Sequence, residues 1–173
     1  METGNEKGID LYTWATPNGR KVSIMLEELE LSYRVFPIDI TAGDQHQPEF
    51  VSFSPNNKIP AIVDHDTGTK MMESCAILMY LANKFGRFVS PIGEKYWEEM
   101  QWLMFQAGHV GPMLGQTHHF VKFNPGKAPY AEERYRKENA RLYTVLESRL
   151  KGREFICDTY SIVDIATWPW ISR

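Results

Sequence analysis

The first half of the chain alternates between short strand-like runs and stretches at helical spacing. Residues 9–14 alternate and are rich in strand formers, and Val22 and Leu26 follow on one face of a predicted helix. A second strand is predicted over 33–38, and an intervening helix favours a parallel strand pair. Whether a short helix at 48–53 follows is open. The chain is thus predicted to begin with a β-α-β unit.

Two further strands and a helix complete the first half. Residues 57–64 predict a strand entered through Pro60, and a turn at 65–68 leads into a short strand at 70–72. A helix is predicted over 74–85, because its apolar residues form one stripe and a glycine follows it. These elements predict a mixed four-stranded sheet covered by helices.

Strand signals end beyond Pro91, and helical patterns dominate the rest of the chain. Residues 94–151 contain long helical stretches, and Ser161–Asp164 has the pattern of a capping box that begins a final helix. We therefore predict an α/β domain at 8–87 and an all-helical domain at 93–173.

Composition and charge exclude several classes of protein. The chain has 173 residues, and 43% of them are hydrophobic, which is enough for a globular core. A net charge of -3 without a dense basic block argues against nucleic acid as a partner. No apolar run reaches the roughly 18 residues that a membrane span needs, and the polar start lacks a signal-peptide pattern. A cytoplasmic protein without a membrane partner is expected.

The cysteines and histidines offer no evident redox or metal motif. Cys75 and Cys157 lie far apart with no C-x-x-C spacing, and both are expected to pack in the interior. His109, His118 and His119 do not form a metal-ligand pattern, so no metal is expected. Thiol chemistry would therefore need sulfur from another molecule.

Two predicted helix starts could bind an anion. Helices begin after Thr16 and near Ser74, and such ends expose unpaired N–H groups and a partial positive charge. Taken singly, each residue is more typical of an ordinary helix cap than of a binding site. Pro60 by itself indicates little, because only about 5% of X-Pro bonds are cis. Single residues therefore do not decide between a structural and a functional role.

Longer motifs carry a family resemblance. Residues 16–19 (TPNG), 54–61 (SPNNKIPA), 73–74 (ES) and 111–120 (GPMLGQTHHF) closely resemble motifs of the glutathione transferases, in particular the bacterial nu class. This resemblance implies a thioredoxin-like first domain, a helical second domain and a homodimer. It also implies a glutathione-dependent disulfide-bond reductase that holds two glutathione molecules at each site.

The resemblance assigns site residues one by one. Thr16 and Asn18 would address the glutathione sulfur, and Gln45 would address the glycyl end. In the motif that contains Lys58, Ile59 and Pro60, Ile59 would pair its main chain with the cysteinyl unit. Glu73 and Ser74 would hold the γ-glutamyl end, and Arg134 would reach a second carboxylate.

The turn at 15–19 contains none of the tyrosine, serine or cysteine residues that serve as the catalyst in other classes of glutathione transferase. A thiol with a pKa of about 8.5 must drop by about two units to ionise at neutral pH, which needs about 2.7 kcal/mol. A helix N-terminus supplies up to ~2 kcal/mol and one hydrogen bond to a charged acceptor roughly 1.5–3 kcal/mol. Thr16, Asn18 and the helix dipole can therefore suffice without a general base.

Other functions and one departure from the family stay open. The alternatives are conjugation of glutathione to electrophiles, reduction of organic hydroperoxides, and a non-catalytic glutathione-fold regulator or binding module. The helical half is shorter than in the family, which suggests truncation and leaves Trp168, Trp170 and Ile171 uncovered. Glycines 108, 111 and 115 share a helix face that widens a cleft or admits a partner helix, unless they mark only an irregular helix end.

Overall fold

The computed structural model describes residues 8–172, which form two compact units that divide between Arg87 and Phe88. Residues 1–7, which hold most of the polar start, and Arg173, where the second predicted domain ends, lie outside the described residues. The bounds of the two domains stay a prediction. No described helix is both long and apolar enough to cross a membrane.

The first unit is a four-stranded mixed sheet with helices. The sheet order is β2-β1-β3-β4; β1 and β2 are parallel, and β3 is antiparallel to both β1 and β4. This confirms the predicted sheet, and the short helix that the sequence left open is present. The elements are β1 (Ile9–Thr13), α1 (Pro17–Glu28), β2 (Tyr33–Pro37), α2 (Pro48–Val51), β3 (Ala61–Asp64), β4 (Thr69–Met72) and α3 (Ser74–Phe85).

The core of the first unit lies between the sheet and the helices α1 and α3. Leu11 and Ile62 supply it from the strands, because alternate residues of a strand face the same side. Met25 of α1 and Leu78 of α3 are fully buried, and the two helices pack against each other. The predicted apolar stripes thus set the orientation of both helices on the sheet.

A buried carboxylate anchors α3 to the sheet. Asp64, at the end of β3, is fully buried and accepts hydrogen bonds from Lys84 Nζ at 2.5 Å and from Tyr80 Oη at 2.6 Å. Burial alone would raise the pKa of Asp64, but these bonds and the lysine charge outweigh it and lower the pKa below 3.8. These contacts therefore anchor the C-terminal half of α3 to the end of β3.

The second unit is helical, as predicted. Two π-helical turns, at Gln106–Val110 and His118–Phe123, follow α4 and α5, so the chain from Glu94 runs helically to Phe123. The predicted capping box is present, because Ser161 Oγ accepts from the Val163 N–H and Asp164 accepts from the Ser161 N–H. The helices are α4 (Glu94–Phe105), α5 (Gly111–Thr117), α6 (Pro129–Leu150) and α7 (Ile162–Ile171).

The predicted glycine face admits a partner helix at two of its three positions. A Cβ on Gly111 or Gly115 would lie 3.4 Å from the Trp170 ring, whereas Gly108 has nothing within 4 Å. The prediction that the last helix leaves its tryptophans uncovered is confirmed for Trp168, which is 60% exposed. It is wrong for Trp170, which is only partly exposed because its ring lies against Gly111 and Gly115. Close approach of α7 to a glycine-lined helix explains the difference.

Candidate functional site

Strand register brings three loop segments to one edge of the sheet. Tyr12 of β1 pairs with Ala61 of β3, and Ala61 pairs with Met72 of β4. Because these strands are antiparallel neighbours, the turn before α1, the loop before β3 and the start of α3 all lie at this edge, which we call the site edge. These segments, together with the first turn of α1, contain the predicted residues Thr16, Asn18, Lys58, Ile59, Pro60, Glu73 and Ser74.

Thr16 is the N-cap of α1. Its side-chain oxygen accepts a hydrogen bond from the Gly19 N–H at 3.1 Å, and Pro17 occupies the first helical position. A hydroxyl that accepts this bond still has its own proton to donate. Asn18 lies in the same helical turn and is half-buried. The turn can therefore stabilise a negatively charged group through the Thr16 hydroxyl and the helix dipole together.

The turn before α1 is tightly packed against the end of β1. A Cβ on Gly19 would lie 2.4 Å from both the Trp14 carbonyl oxygen and Thr13 Oγ1. Real Cβ atoms do not approach other atoms so closely, so only glycine fits. The sequence motif contains this glycine, but nothing in its spacing reveals the contact.

The loop before β3 presents main-chain groups at the site edge. Ser54, fully buried, donates its hydroxyl to the Lys58 carbonyl oxygen at 2.9 Å and so fixes the loop. The bond between Ile59 and Pro60 is cis. Within residues 8–172, the N–H and C=O of Ile59 form no hydrogen bond. These two groups are therefore able to pair with an extended peptide.

The start of α3 differs from the expected cap. Glu73, not Ser74, is the N-cap, and Glu73 has a positive φ of 70°, which is uncommon for a non-glycine residue. Its carboxylate accepts a hydrogen bond from Asn56 Nδ2 at 3.2 Å, which ties α3 to the loop before β3. Interpreting Ser74 as an ordinary cap is therefore wrong. Ser74 is the first helical residue, and its hydroxyl contacts Lys21.

A buried lysine lies beneath Ser74. Lys21 of α1 is only 2% exposed, and its Nζ lies 3.4 Å from Ser74 Oγ and 3.7 Å from Cys75 Sγ. Burial lowers the pKa of Lys21, while the nearby Cys75 and Glu73 partly counteract that effect. Sequence reasoning missed this residue. The available signal was its spacing, because Lys21 and Met25 lie one helical turn apart on the buried face of α1.

Two predicted residues lie outside these three segments. Gln45 sits in a 3-10 turn after β2, and its buried Oε1 has no hydrogen-bond partner within the described chain. Such an acceptor is available to a donor from outside. Arg134 is exposed on α6 of the second unit, where it lines a shallow depression together with Tyr130 and Lys137.

Both protein thiols are poorly placed to act as nucleophiles. Cys75 is buried in α3, and Cys157 has no exposed surface. Burial raises the pKa of Cys157 to about 11, so this thiol is protonated at neutral pH. In residues 8–172, no group of three or more potential metal-binding side chains occurs.

Known proteins share both the sequence and the fold. Residues 7–83 match the family model "Glutathione S-transferase, N-terminal domain". The chain is 51% identical to the disulfide-bond oxidoreductase YfcG of Escherichia coli, over 95% of this chain and 79% of the relative. It is 41% identical to the disulfide-bond oxidoreductase YghU of the same organism, over 95% of this chain and 60% of the relative.

A solved structure is similar to nearly the whole chain in both fold and sequence. A glutathione transferase from Pseudomonas putida, with one glutathione disulfide bound per subunit, superposes with a TM-score of 0.91 at 43% identity. The match covers 98% of this chain and 76% of the Pseudomonas chain. Because the sequence identity and the fold agree over nearly its full length, the chain belongs to the glutathione transferase family.

Proposed function

We propose that this protein is an enzyme that reduces disulfide bonds with glutathione as the source of electrons. The observation that carries the proposal is the site edge, where the capped start of α1, the unpaired main-chain groups of Ile59 and the start of α3 lie at the same ends of paired strands. The names of the Escherichia coli relatives and the glutathione disulfide in the Pseudomonas structure support the same chemistry.

Glutathione would bind along the site edge as an extended peptide. Ile59 offers its N–H and C=O to the cysteinyl unit, in the manner of an added strand, within the motif that also contains Lys58 and Pro60. The γ-glutamyl carboxylate would meet Ser74 and the N-terminus of α3, and its ammonium group would meet Glu73.

The remaining proposed contacts are at the glycyl end and at a second molecule. Gln45 Oε1, which has no partner within the described residues, would accept a hydrogen bond from the N–H of the glycyl unit. Arg134 is the cation that we propose for a carboxylate of the second glutathione, since a guanidinium binds a carboxylate in bidentate geometry.

The reaction would proceed by two thiol–disulfide exchanges. The first glutathione thiolate, stabilised by Thr16, Asn18 and the α1 dipole, attacks one sulfur of the substrate and releases the other as a thiol. The second glutathione thiolate then attacks the glutathione sulfur of the mixed disulfide, so that glutathione disulfide and a second substrate thiol leave. Two electrons pass from two glutathione molecules to one disulfide.

A cysteine-free variant tests this proposal. Because the reacting sulfur belongs to glutathione, the variant with both Cys75→Ala and Cys157→Ala should retain glutathione-dependent disulfide reduction within about threefold, a change of less than 1 kcal/mol. The measurement is steady-state reduction of a small disulfide, coupled to recycling of glutathione disulfide. Failure of the folded, glutathione-loaded wild-type protein to reduce disulfides would overturn the proposal, and transfer of glutathione to an electrophile instead would favour the conjugation alternative.

We also propose that the protein is cytoplasmic and forms a homodimer. Cys75 and Cys157 form no disulfide with each other, which is typical of proteins in a reducing compartment. The α4 surface supports the dimer, because Trp97 is 60% exposed and Met104 is 51% exposed, and both line one apolar depression.

Charge on the α4 surface should separate the two copies. Trp97→Glu combined with Met104→Glu is expected to convert the dimer to a monomer, because each glutamate would have to be desolvated in the interface. Sedimentation velocity measures the change, and Tyr143→Glu, at an exposed aromatic residue of α6, serves as the control. A wild-type protein that sediments as a monomer at all concentrations would contradict the dimer.

A further inference from the structure

We propose that Lys21 is a positioning residue for the γ-glutamyl carboxylate of glutathione, acting through Ser74 without touching the ligand. The inference rests on the proposed function, because it deepens the assignment of the γ-glutamyl end to the start of α3. Lys21 lies outside the residues that the sequence motifs assigned to the site, and the γ-glutamyl carboxylate is the part of glutathione that it would select.

The hydrogen bond between Lys21 and Ser74 has only one possible direction. An ammonium group has three protons and no lone pair, so Lys21 Nζ must donate and Ser74 Oγ must accept. Among residues 8–172, Ser74 Oγ has no acceptor for its own proton, since Lys21 is its one side-chain partner. The hydroxyl is therefore set to donate to a ligand acceptor, which the glutathione carboxylate supplies.

The same contact brings positive charge to the start of α3. Lys21 is 2% exposed, and its burial lowers the pKa, so the charged form is costly in this position. A carboxylate at Ser74 would lie close enough to the ammonium to offset part of that cost. The lysine charge, the Ser74 hydroxyl and the helix dipole would then act on one carboxylate together.

A ligand that lacks only this carboxylate separates positioning from mere structural support. In 4-aminobutyryl-cysteinylglycine the ammonium, cysteinyl and glycyl parts of glutathione are kept and the γ-glutamyl carboxylate is absent. Wild-type protein should bind glutathione more tightly than this analogue by about 100-fold, which is typical of losing charge-assisted hydrogen bonds. In Lys21→Met the preference should fall about tenfold or more, because glutathione loses affinity and the analogue does not.

The experiment is isothermal titration of both ligands into wild-type protein, Lys21→Met and Lys21→Gln. Ser74→Ala should reduce the preference as well. The double variant with Lys21→Met should lose less than the sum of the two single losses, because Lys21 acts in part through the Ser74 hydroxyl. Lys84→Gln is the matched control: it alters another largely buried lysine of the first unit, whose partner is Asp64. The Lys84→Gln variant should prefer glutathione over 4-aminobutyryl-cysteinylglycine by the same factor as the wild-type protein.

The outcomes distinguish the inference from the proposed function. If Lys21→Met weakens both ligands equally, or leaves glutathione binding unchanged, the inference is overturned while the proposed function stands. If both Lys21 variants fail to fold, the lysine has a folding role and the inference is likewise overturned. If the wild-type protein binds neither ligand, the proposed function itself fails.

Discussion

Gly19→Ala should destabilise the protein by about 2–3 kcal/mol, the upper part of the range for overpacked interiors. The added methyl group would lie 2.4 Å from the Trp14 carbonyl oxygen, a main-chain atom that cannot rotate away. Either β1 and α1 must separate or the turn that carries Thr16 must deform. We therefore expect a lower urea midpoint and a loss of disulfide reduction that exceeds the loss of folded protein.

A second glycine of the chain provides the control for Gly19→Ala. Gly108 lies in a π-helical turn, has nothing within 4 Å of an added Cβ and requires no positive φ. Gly108→Ala should leave stability unchanged or raise it by up to about 1 kcal/mol through the unfolded state. Equal urea midpoints for the two alanine variants would contradict the tight packing at the turn before α1.

The double variant with Thr16→Ala and Asn18→Ala should lower the rate of disulfide reduction at pH 7 by about 20-fold, as expected from the smaller thiolate fraction when the thiol pKa returns from about 6.5 toward about 8.5. Without them the glutathione thiol keeps a pKa closer to its ordinary value, and the reactive thiolate becomes scarce at neutral pH. The rate is measured at saturating glutathione, so that weaker binding does not account for the loss.

Loss of the Thr16 cap would by itself destabilise α1 by about 1 kcal/mol, and this effect needs its own control. Ser161→Ala removes the equivalent cap of α7, whose side chain also accepts a main-chain N–H. Ser161→Ala should lower the melting temperature without lowering the rate per folded molecule. If the double variant behaves in the same way, Thr16 and Asn18 have only a structural role.

The fold could be predicted from the sequence because its elements carry local signals. Alternation in β1, the apolar stripe of α3 and the capping box from Ser161 to Asp164 each depend on residues close together in the chain. The parallel pairing of β1 and β2 followed from the helix between them. Because these signals are local, they predicted the mixed four-stranded sheet and the helical second half, and the structure confirms both.

The site could be predicted only as far as its motifs extend. Lys21 reaches Ser74 across 53 positions, and no local pattern specifies that contact. The same is true of Trp170, which covers Gly111 because two helices approach closely, although the sequence suggested uncovered surface. Ser74 resembled a cap because serine is common there, whereas Glu73, with its positive φ, occupies the cap position and Ser74 is the first helical residue, so the predicted helix bounds are confirmed.

Binding of glutathione with its sulfur ionised at the start of α1 is tested most directly by a pH titration of the bound thiol. Ultraviolet absorbance of the thiolate is followed in the cysteine-free variant with protein in excess over glutathione, and ligand-free protein is titrated as the blank. The difference signal then comes from bound glutathione, because the variant has no thiol of its own. We predict an apparent pKa of about 6.5, which is two units below the ordinary thiol value of about 8.5, and a return toward that value when Thr16 and Asn18 are also replaced by alanine. A bound thiol that titrates near its ordinary value in the presence of both residues would contradict the account.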